Sequence, residues 1–215
     1  MNQGAKRHAH SERGHDLYES PACAPAALML HEPLLREESI WEPCAGRGAI
    51  KRVLEAGGRR VVAQDLIAYE GSDPGIETPI DFFKTERRPP SAITIVTNPP
   101  FMHADAFIRH GLALQCDVIV LLRLMAIEGA NRSDLIDRHL HRVWAGIERV
   151  PMMHREGYTG PKIKGGNSGT PFAWFVFRPS PRQSGNAIEL RRISWRVPIP
   201  KSDDENLFAG MEAFL

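Results

Sequence analysis

A strand, a glycine-containing turn, a helix and a second strand follow one another in the first third of the chain. Residues 39–42 form a short apolar segment, the turn EPCAGRG (residues 42–48) follows it, and residues 49–56 have the composition of a helix. Residues 60–65 form the second apolar segment. This order is a βαβ unit, whose strands are parallel and whose crossover is right-handed. The sequence therefore predicts an α/β fold.

The alternation of strands and helices continues downstream, so we expect a Rossmann-like, mostly parallel sheet of about seven strands flanked by helices. Further strands are predicted at residues 80–83, 92–97, 118–123, 142–149, 172–177 and 188–197, and further helices at residues 25–36, 104–114 and 133–140. The 215 residues favour one compact domain. We assign residues 1–16 to a mobile arm, 17–178 to the domain, with a long loop at 152–171, and 179–215 to a C-terminal extension.

The glycine turn is the first candidate ligand site. Gly46 and Gly48 allow close approach of a ligand to the backbone, although such a turn is also common as a purely structural feature. Asp65 lies 23 residues after Glu42, at the end of the next strand, where a carboxylate can accept hydrogen bonds from ribose hydroxyls. The turn lacks the lysine of a P-loop, and Glu42 would repel a pyrophosphate. A cationic adenosine cofactor, S-adenosylmethionine, therefore fits better than NAD.

The segment Asn98-Pro99-Pro100-Phe101 is the second candidate site, and it follows an apolar strand. The two prolines stiffen the turn. Asn98 Oδ1 and the Pro99 carbonyl oxygen then offer two acceptors for the N–H groups of an exocyclic amine, which favours the nucleophilic form of that amine. Phe101 is predicted to stack on a flat substrate such as an extruded base.

Taken in order, the glycine turn, Asp65, Asp81-Phe82-Phe83 and Asn98-Pro99-Pro100-Phe101 resemble the class I S-adenosylmethionine-dependent methyltransferases. The resemblance is greatest to the N6-adenine DNA methyltransferases of the small phage and prophage kind, and it covers residues 17–178. It implies S-adenosylmethionine as the cofactor, and methyl transfer to the N6 amine of a flipped-out adenine in DNA.

The resemblance also implies roles for individual residues. Glu42 would face the methionine ammonium group, Asp65 would hold the ribose hydroxyls, and Asp81 would contact the adenine amine. Cys44 inverts a common Ala-Cys order, and Ser20 replaces the usual threonine of an N-terminal cofactor motif. The cofactor-binding set is Tyr18, Ser20, Pro21, Glu42, Cys44, Gly46, Gly48, Asp65, Leu66, Asp81 and Phe82.

For the substrate, the resemblance assigns catalysis to Asn98, Pro99, Pro100 and Phe101. It places a late aromatic residue, Trp174 or Phe175, against the flipped base, although the segment 172–177 is also typical of a core strand. Lys162 and Lys164 of the long loop are predicted to contact the substrate. Arg123, Glu128 and Arg132 are interpreted as a structural ion network rather than as direct substrate contacts.

The net charge of +1 argues at first against a nucleic acid as the partner. Basic residues are nevertheless concentrated locally, with six in residues 178–201 against the single acidic residue Glu189. DNA is the favoured partner, while an RNA base and a protein glutamine amide remain alternatives, as does a non-catalytic nucleic-acid-binding module. Phe101 favours a nucleic acid, because the glutamine methyltransferases usually carry tyrosine there. The short extension predicts weak or absent sequence preference.

The cysteine pattern and the absence of long apolar segments predict a soluble protein of the reducing cytoplasm. The three cysteines are widely separated and form no CxxC pair, so neither a zinc site nor a disulfide framework is expected. Residues 1–16 contain no apolar stretch typical of a secretory signal, and the most apolar run, residues 118–127, is too short to cross a membrane.

Overall fold

The computed structural model describes residues 17–36, 39–152, 170–183 and 187–199. The described strands form one eight-stranded sheet in the order β3-β2-β1-β4-β5-β7-β6-β8. Their bounds are β1 (Ser39–Glu42), β2 (Arg60–Gln64), β3 (Ile76–Glu77), β4 (Thr94–Thr97), β5 (Asp117–Arg123), β6 (Leu140–Gly146), β7 (Phe172–Phe177) and β8 (Glu189–Ile193). Only β7 runs antiparallel to its two neighbours among these strands. The predicted mostly parallel α/β fold is confirmed.

Helices cover the sheet and supply the crossovers between parallel strands. They are α1 (Cys23–His31), α2 (Ala49–Ala56), α3 (Ala104–Ala113) and α4 (Ser133–His139). The predictions for α2 and β7 match the structure residue for residue, whereas α1 ends before Pro33 and a short 3-10 turn, Pro33–Arg36, follows it. Among the described helices, none is long and apolar enough to span a bilayer.

The predicted third strand is wrong in position. The strand is the two-residue β3, and residues 82–84 form a 3-10 turn instead. Asp81 explains this difference, because its Oδ1 atom accepts a hydrogen bond from the Phe83 backbone N–H at 3.0 Å and so caps the turn. β8 lies within the segment assigned to the C-terminal extension and pairs with β6 in parallel.

Two hydrophobic layers, one on each face of the sheet, form the core. Alternation along β7 sends Phe175 and Phe177 into the layer with Trp41, and Trp174 into the layer with Leu28 of α1. On the α1 side, the buried Glu32 carboxylate accepts two hydrogen bonds from Arg142 and one from Trp144 Nε1 at 2.7 Å. This cluster anchors the end of α1 to β6.

The topology places the ends of the parallel strands together. β1 has β2 on one side and β4 on the other, so the order of the strands reverses at β1. Open α/β sheets bind their ligands at such a switch point, beyond the carboxyl ends of the strands. The glycine turn after β1, Asp65 after β2 and Asn98 after β4 all lie at this edge.

Candidate functional site

A cavity of about 510 Å³ lies at the switch point. This volume is within the range of small-molecule sites. Its wall includes eleven of the residues predicted to bind cofactor or substrate: Tyr18, Ser20, Glu42, Cys44, Gly46, Asp65, Leu66, Asp81, Phe82, Asn98 and Pro100. Pro21, Gly48, Pro99 and Phe101 lie close by in the chain but do not line the cavity.

Glu42 is the most buried carboxylate of the cavity wall, at 1 % exposure. Its Oε2 atom has no hydrogen-bond partner among the residues that the structure describes. Burial raises the pKa of the Glu42 carboxyl well above its ordinary value, the negative charge of Asp65 raises it further, and a hydrogen bond from the Lys51 backbone opposes the shift. A cationic ligand group would pair with this carboxylate and offset the free-energy cost of its desolvation.

Asp65 both lines the cavity and holds the glycine turn in place. Its Oδ2 atom accepts a hydrogen bond from the Gly46 backbone N–H at 2.7 Å, and its Oδ1 atom accepts one from Ile67 N–H at 2.9 Å. Burial raises the pKa of Asp65, and these backbone hydrogen bonds oppose the rise. Each carboxylate oxygen keeps acceptor capacity for a further donor. Asp65 therefore has a structural role in addition to the predicted contact with ribose.

The turn requires glycine at positions 46 and 48. Gly46 has φ of +57°, and a Cβ atom there would lie 2.7 Å from Leu17 Cδ1. Gly48, which directly precedes α2, has φ of +88°, and a Cβ atom there would lie 2.9 Å from Asp73 Cβ. Both values lie in the left-handed region that favours glycine. The absence of a side chain at Gly46 thus allows Leu17 to pack on the turn, and its absence at Gly48 allows Asp73 to do so.

Residues 17–21 cross the cavity from the glycine turn to the acceptor turn. Leu17 packs on Gly46, and Glu19 approaches Arg47, with 3.9 Å between Oε1 and Nη1. Ser20 Oγ is buried on the cavity wall without a partner among the described residues. Sequence reasoning did not select Glu19 or Arg47, because single charged residues next to a glycine turn are usually solvated.

Asn98 is oriented by this same segment. Its Nδ2 atom donates a hydrogen bond to the Tyr18 carbonyl oxygen at 2.9 Å. Its Oδ1 atom is buried and has no partner within the described part of the chain. Because Asn98 lines the cavity, this arrangement leaves one oriented acceptor there, as expected for a residue that grips an amine.

The predicted stacking surface of Phe101 is covered by protein in the structure. The Phe101 ring packs against Tyr18 and Phe172, with centroids 5.4 and 6.0 Å apart. The Arg123 guanidinium carbon lies 5.1 Å from the centroid of the same ring. Phe101 therefore supports the acceptor turn from beside the cavity, and its ring is not part of the cavity wall.

Exposed apolar side chains surround the mouth of the cavity instead. Leu66, Phe83 and Met102 line the cavity and are each more than two-fifths exposed, Met102 at 67 %. Phe82, by contrast, is buried, and its ring stacks on Phe107 with centroids 4.8 Å apart. The apolar mouth was not predicted, because Phe83 and Met102 fall in 3-10 turns that have no regular hydrophobic pattern.

Trp174 and Phe175 lie in the core, and the expectation that one of them clamps a base is not supported by their placement. Both side chains are fully buried, and Trp174 Nε1 donates a hydrogen bond to the Ala24 carbonyl oxygen at 3.0 Å. Alternate side chains of β7 point to opposite faces of the sheet, so one set would be exposed if one face were open. Both faces are covered, and both sets are therefore buried. Lys162 and Lys164 lie outside the described residues.

The expected ion network after β5 is present only in part. Arg132 pairs with Asp105 at 3.3 Å and donates a hydrogen bond to the Ala126 carbonyl oxygen. Arg123 is exposed, and within the described ranges no ion pair joins it to a carboxylate. Among the described histidines, cysteines and carboxylates, no group of three is placed to hold a metal ion.

Comparison with known proteins identifies the fold. No protein-family model matches the chain, and no curated protein matches its sequence. A solved structure of a putative RNA methyltransferase from Pyrococcus horikoshii is similar, with a TM-score of 0.51, 12 % identity, and coverage of 75 % of this chain and 85 % of that one. The type I restriction-modification system methyltransferase subunit from Streptococcus thermophilus gives a TM-score of 0.50 at 10 % identity, over 82 % of this chain and 47 % of that one. The chain thus shares the Rossmann-like fold of these methyltransferases.

Proposed function

We propose that the chain is a methyltransferase that uses S-adenosylmethionine and methylates the exocyclic N6 amine of adenine in DNA. The orientation of Asn98 carries the proposal. Its Nδ2 atom is held by the Tyr18 carbonyl oxygen, and its Oδ1 atom remains a buried acceptor on the cavity wall, without a partner among the described residues. An amine with two N–H donors satisfies such an acceptor, whereas a carboxylate or phosphate would not.

The residues of the cavity fit S-adenosylmethionine. Glu42 presents a buried carboxylate for the ammonium group, and Arg47 presents a cation on the same wall for the carboxylate group. Asp65 stands at the end of β2, where ribose hydroxyls are usually bound, and Leu66 with Phe82 offers apolar surface for the adenine ring. When bound, the cofactor supplies a methyl group activated by an adjacent sulfonium.

The protein's own contribution to the transfer is to bind and orient the target amine. Asn98 Oδ1 accepts a hydrogen bond from one N–H group of this amine, which draws the nitrogen lone pair out of conjugation with the ring. The resemblance implies the Pro99 carbonyl oxygen as the second acceptor, and binding through it requires the turn to shift, because Pro99 does not line the cavity. Correct positioning of two reactants supplies much of the rate enhancement in such reactions. The methylated nitrogen releases its proton to solvent, so no histidine general base is required.

A nucleic-acid base is proposed over a protein glutamine for two reasons, and the choice of adenine in DNA rests on the family resemblance. Phe101 at the turn favours a nucleic acid over a protein glutamine, as the resemblance implies. Phe83 and Met102, the exposed apolar residues of the mouth that the cofactor does not use in this proposal, suit an unstacked base.

The proposal is tested by transfer of tritium from labelled S-adenosylmethionine to a panel of acceptors. The panel contains adenine-rich duplex DNA, single-stranded DNA, an RNA of the same sequence, DNA without adenine, and a glutamine-containing peptide. We expect label in the two adenine-containing DNAs and none in DNA without adenine. Label confined to RNA or to the peptide would reject the DNA substrate, and absence of binding of the cofactor by calorimetry would reject the enzyme itself.

A further inference from the structure

Charge is divided between the two halves of the sheet edge that carries the cavity. On the cofactor half, carboxylates follow the strands: Glu42 ends β1 and Asp65 follows β2. On the other half, arginines stand at the corresponding positions. Arg123 ends β5, Arg149 comes three residues after β6, and Arg196 comes three residues after β8. β5, β6 and β8 run in the same direction, so these arginines share the edge with the acceptor turn.

Of these three arginines, Arg123 is the one that contacts the acceptor turn, through Phe101. β5 pairs with β4, the strand that ends just before Asn98, and the Arg123 guanidinium lies over the ring of Phe101. The aromatic face fixes one side of the guanidinium without neutralising its charge. Its N–H donors remain available at the rim, since the side chain is exposed and the described residues pair no carboxylate with it.

Arg149 and Arg196 extend this positive charge along the edge. A hydrogen bond from Trp195 Nε1 to the Glu148 carbonyl oxygen ties together the segments that carry them. Arg196 is 86 % exposed and pairs with Glu148 at 3.4 Å, a contact that is easily exchanged in water. Besides the half-buried Glu148, the exposed Glu128 follows Arg123 by five residues. β5 and β8 are separated by three inter-strand spacings of the sheet, a distance of about 15 Å. About four nucleotides of a single nucleic-acid chain span this distance.

We infer that this edge binds the phosphate backbone of the nucleic-acid strand that carries the target base, and that Arg123 contacts the phosphate nearest that base. The inference rests on the proposed function only in taking Asn98 as the acceptor site. A guanidinium forms two parallel hydrogen bonds with a phosphate, so Arg123 positions the backbone beside the turn. A glutamine side chain in a protein would have no anion to place there.

The test is equilibrium binding of a fluorescent single-stranded DNA across a salt series, without cofactor. Arg123→Ala is compared with Arg138→Ala, which removes another exposed arginine just before β6, at the opposite edge of the sheet. An RNA of the same sequence and an uncharged peptide nucleic acid serve as further probes. Thermal unfolding and calorimetry with S-adenosylmethionine report folding and the cofactor site separately.

We expect Arg123→Ala to bind the single-stranded DNA roughly 3- to 10-fold more weakly and to lower the slope of log Kd against log salt by about 0.7, as the loss of one phosphate contact does for a single strand. Arg138→Ala should bind DNA with the affinity and salt dependence of the wild type. The uncharged peptide nucleic acid should bind Arg123→Ala and the wild type with equal affinity. Equal loss for DNA and RNA supports a backbone contact common to both. An unchanged salt slope in Arg123→Ala, or a wild type that binds cofactor but neither nucleic acid, overturns the inference. A wild type that binds DNA but not cofactor rejects the proposed function instead.

Discussion

Asn98 donates its amide hydrogen to the Tyr18 carbonyl oxygen at 2.9 Å, and this bond decides which end of the amide faces the cavity. The two residues are far apart in the chain, and the contact joins the N-terminal segment to the turn after β4. The same segment crosses Gly46 through Leu17. One short stretch of chain therefore touches both the glycine turn and the acceptor turn.

Substitution of Gly46 by alanine should displace this segment. At φ of +57° an alanine costs about 1–2 kcal/mol, and its Cβ atom would clash with Leu17 Cδ1. Gly58→Ala is the matched control, because Gly58 has φ of +80° and no atom lies within 4 Å of the place that its new methyl group would take. We expect both variants to lose stability by thermal unfolding and only Gly46→Ala to lose cofactor affinity by calorimetry. Equal affinity in the two variants would contradict the role given to Leu17.

Glu42→Gln should stabilise the empty protein and weaken its binding of cofactor. The folded protein holds the pKa of Glu42 well above 4.5, so as pH rises past that value the unfolded chain ionises first and the wild type loses stability. Glutamine does not titrate. The difference in unfolding free energy between Glu42→Gln and the wild type should therefore grow between the pKa of Glu42 in the unfolded chain and its raised pKa in the folded protein, and should be constant above the latter. Denaturant unfolding across a pH series should therefore show the unfolding free energy of Glu42→Gln rising relative to that of the wild type as pH increases above about 4.5.

The cofactor affinity of the same variant should fall about 10- to 100-fold, because a charge-assisted hydrogen bond to the ammonium group is lost. Wild-type binding should also release a proton at pH values below the raised pKa, measured by calorimetry in buffers of different ionisation enthalpy. A variant that is both less stable and unchanged in affinity would show that Glu42 has a structural role only.

Trp174→Phe should affect stability and leave catalysis intact. The substitution removes the donor to the Ala24 carbonyl oxygen inside the core, which costs about 1–3 kcal/mol. Denaturant unfolding should show this loss, while KM for DNA at a temperature where the variant is folded should equal that of the wild type. A raised KM for DNA together with wild-type stability would contradict this prediction and would indicate that Trp174 contacts the flipped base.

The local patterns predicted the fold, and together with the family resemblance they named eleven of the residues that line the cavity. They failed for a strand that is buried on both faces and for a short turn. The βαβ pattern placed Glu42 and Asp65 at one edge, because parallel strands bring their carboxyl ends together. Alternation in β7 did not distinguish a clamp from core, since both faces of the sheet are covered. Asp81 converted an expected strand into a capped turn through one hydrogen bond. The contact between Tyr18 and Asn98 depends on tertiary structure, which no local pattern describes.

The central claim is that Asn98 Oδ1 activates the N6 amine of adenine, and the most direct test is the nucleoside composition of treated DNA. DNA incubated with S-adenosylmethionine and each protein is digested and analysed by mass spectrometry for N6-methyldeoxyadenosine. Gln183→Ala, which removes an exposed amide after β7 at the opposite edge of the sheet, is the control for Asn98→Ala. We predict N6-methyldeoxyadenosine with the wild type and with Gln183→Ala, and none with Asn98→Ala, although Asn98→Ala still binds the cofactor with wild-type affinity. Undiminished N6-methyldeoxyadenosine with Asn98→Ala, or a methyl group on another base with the wild type, would contradict the account.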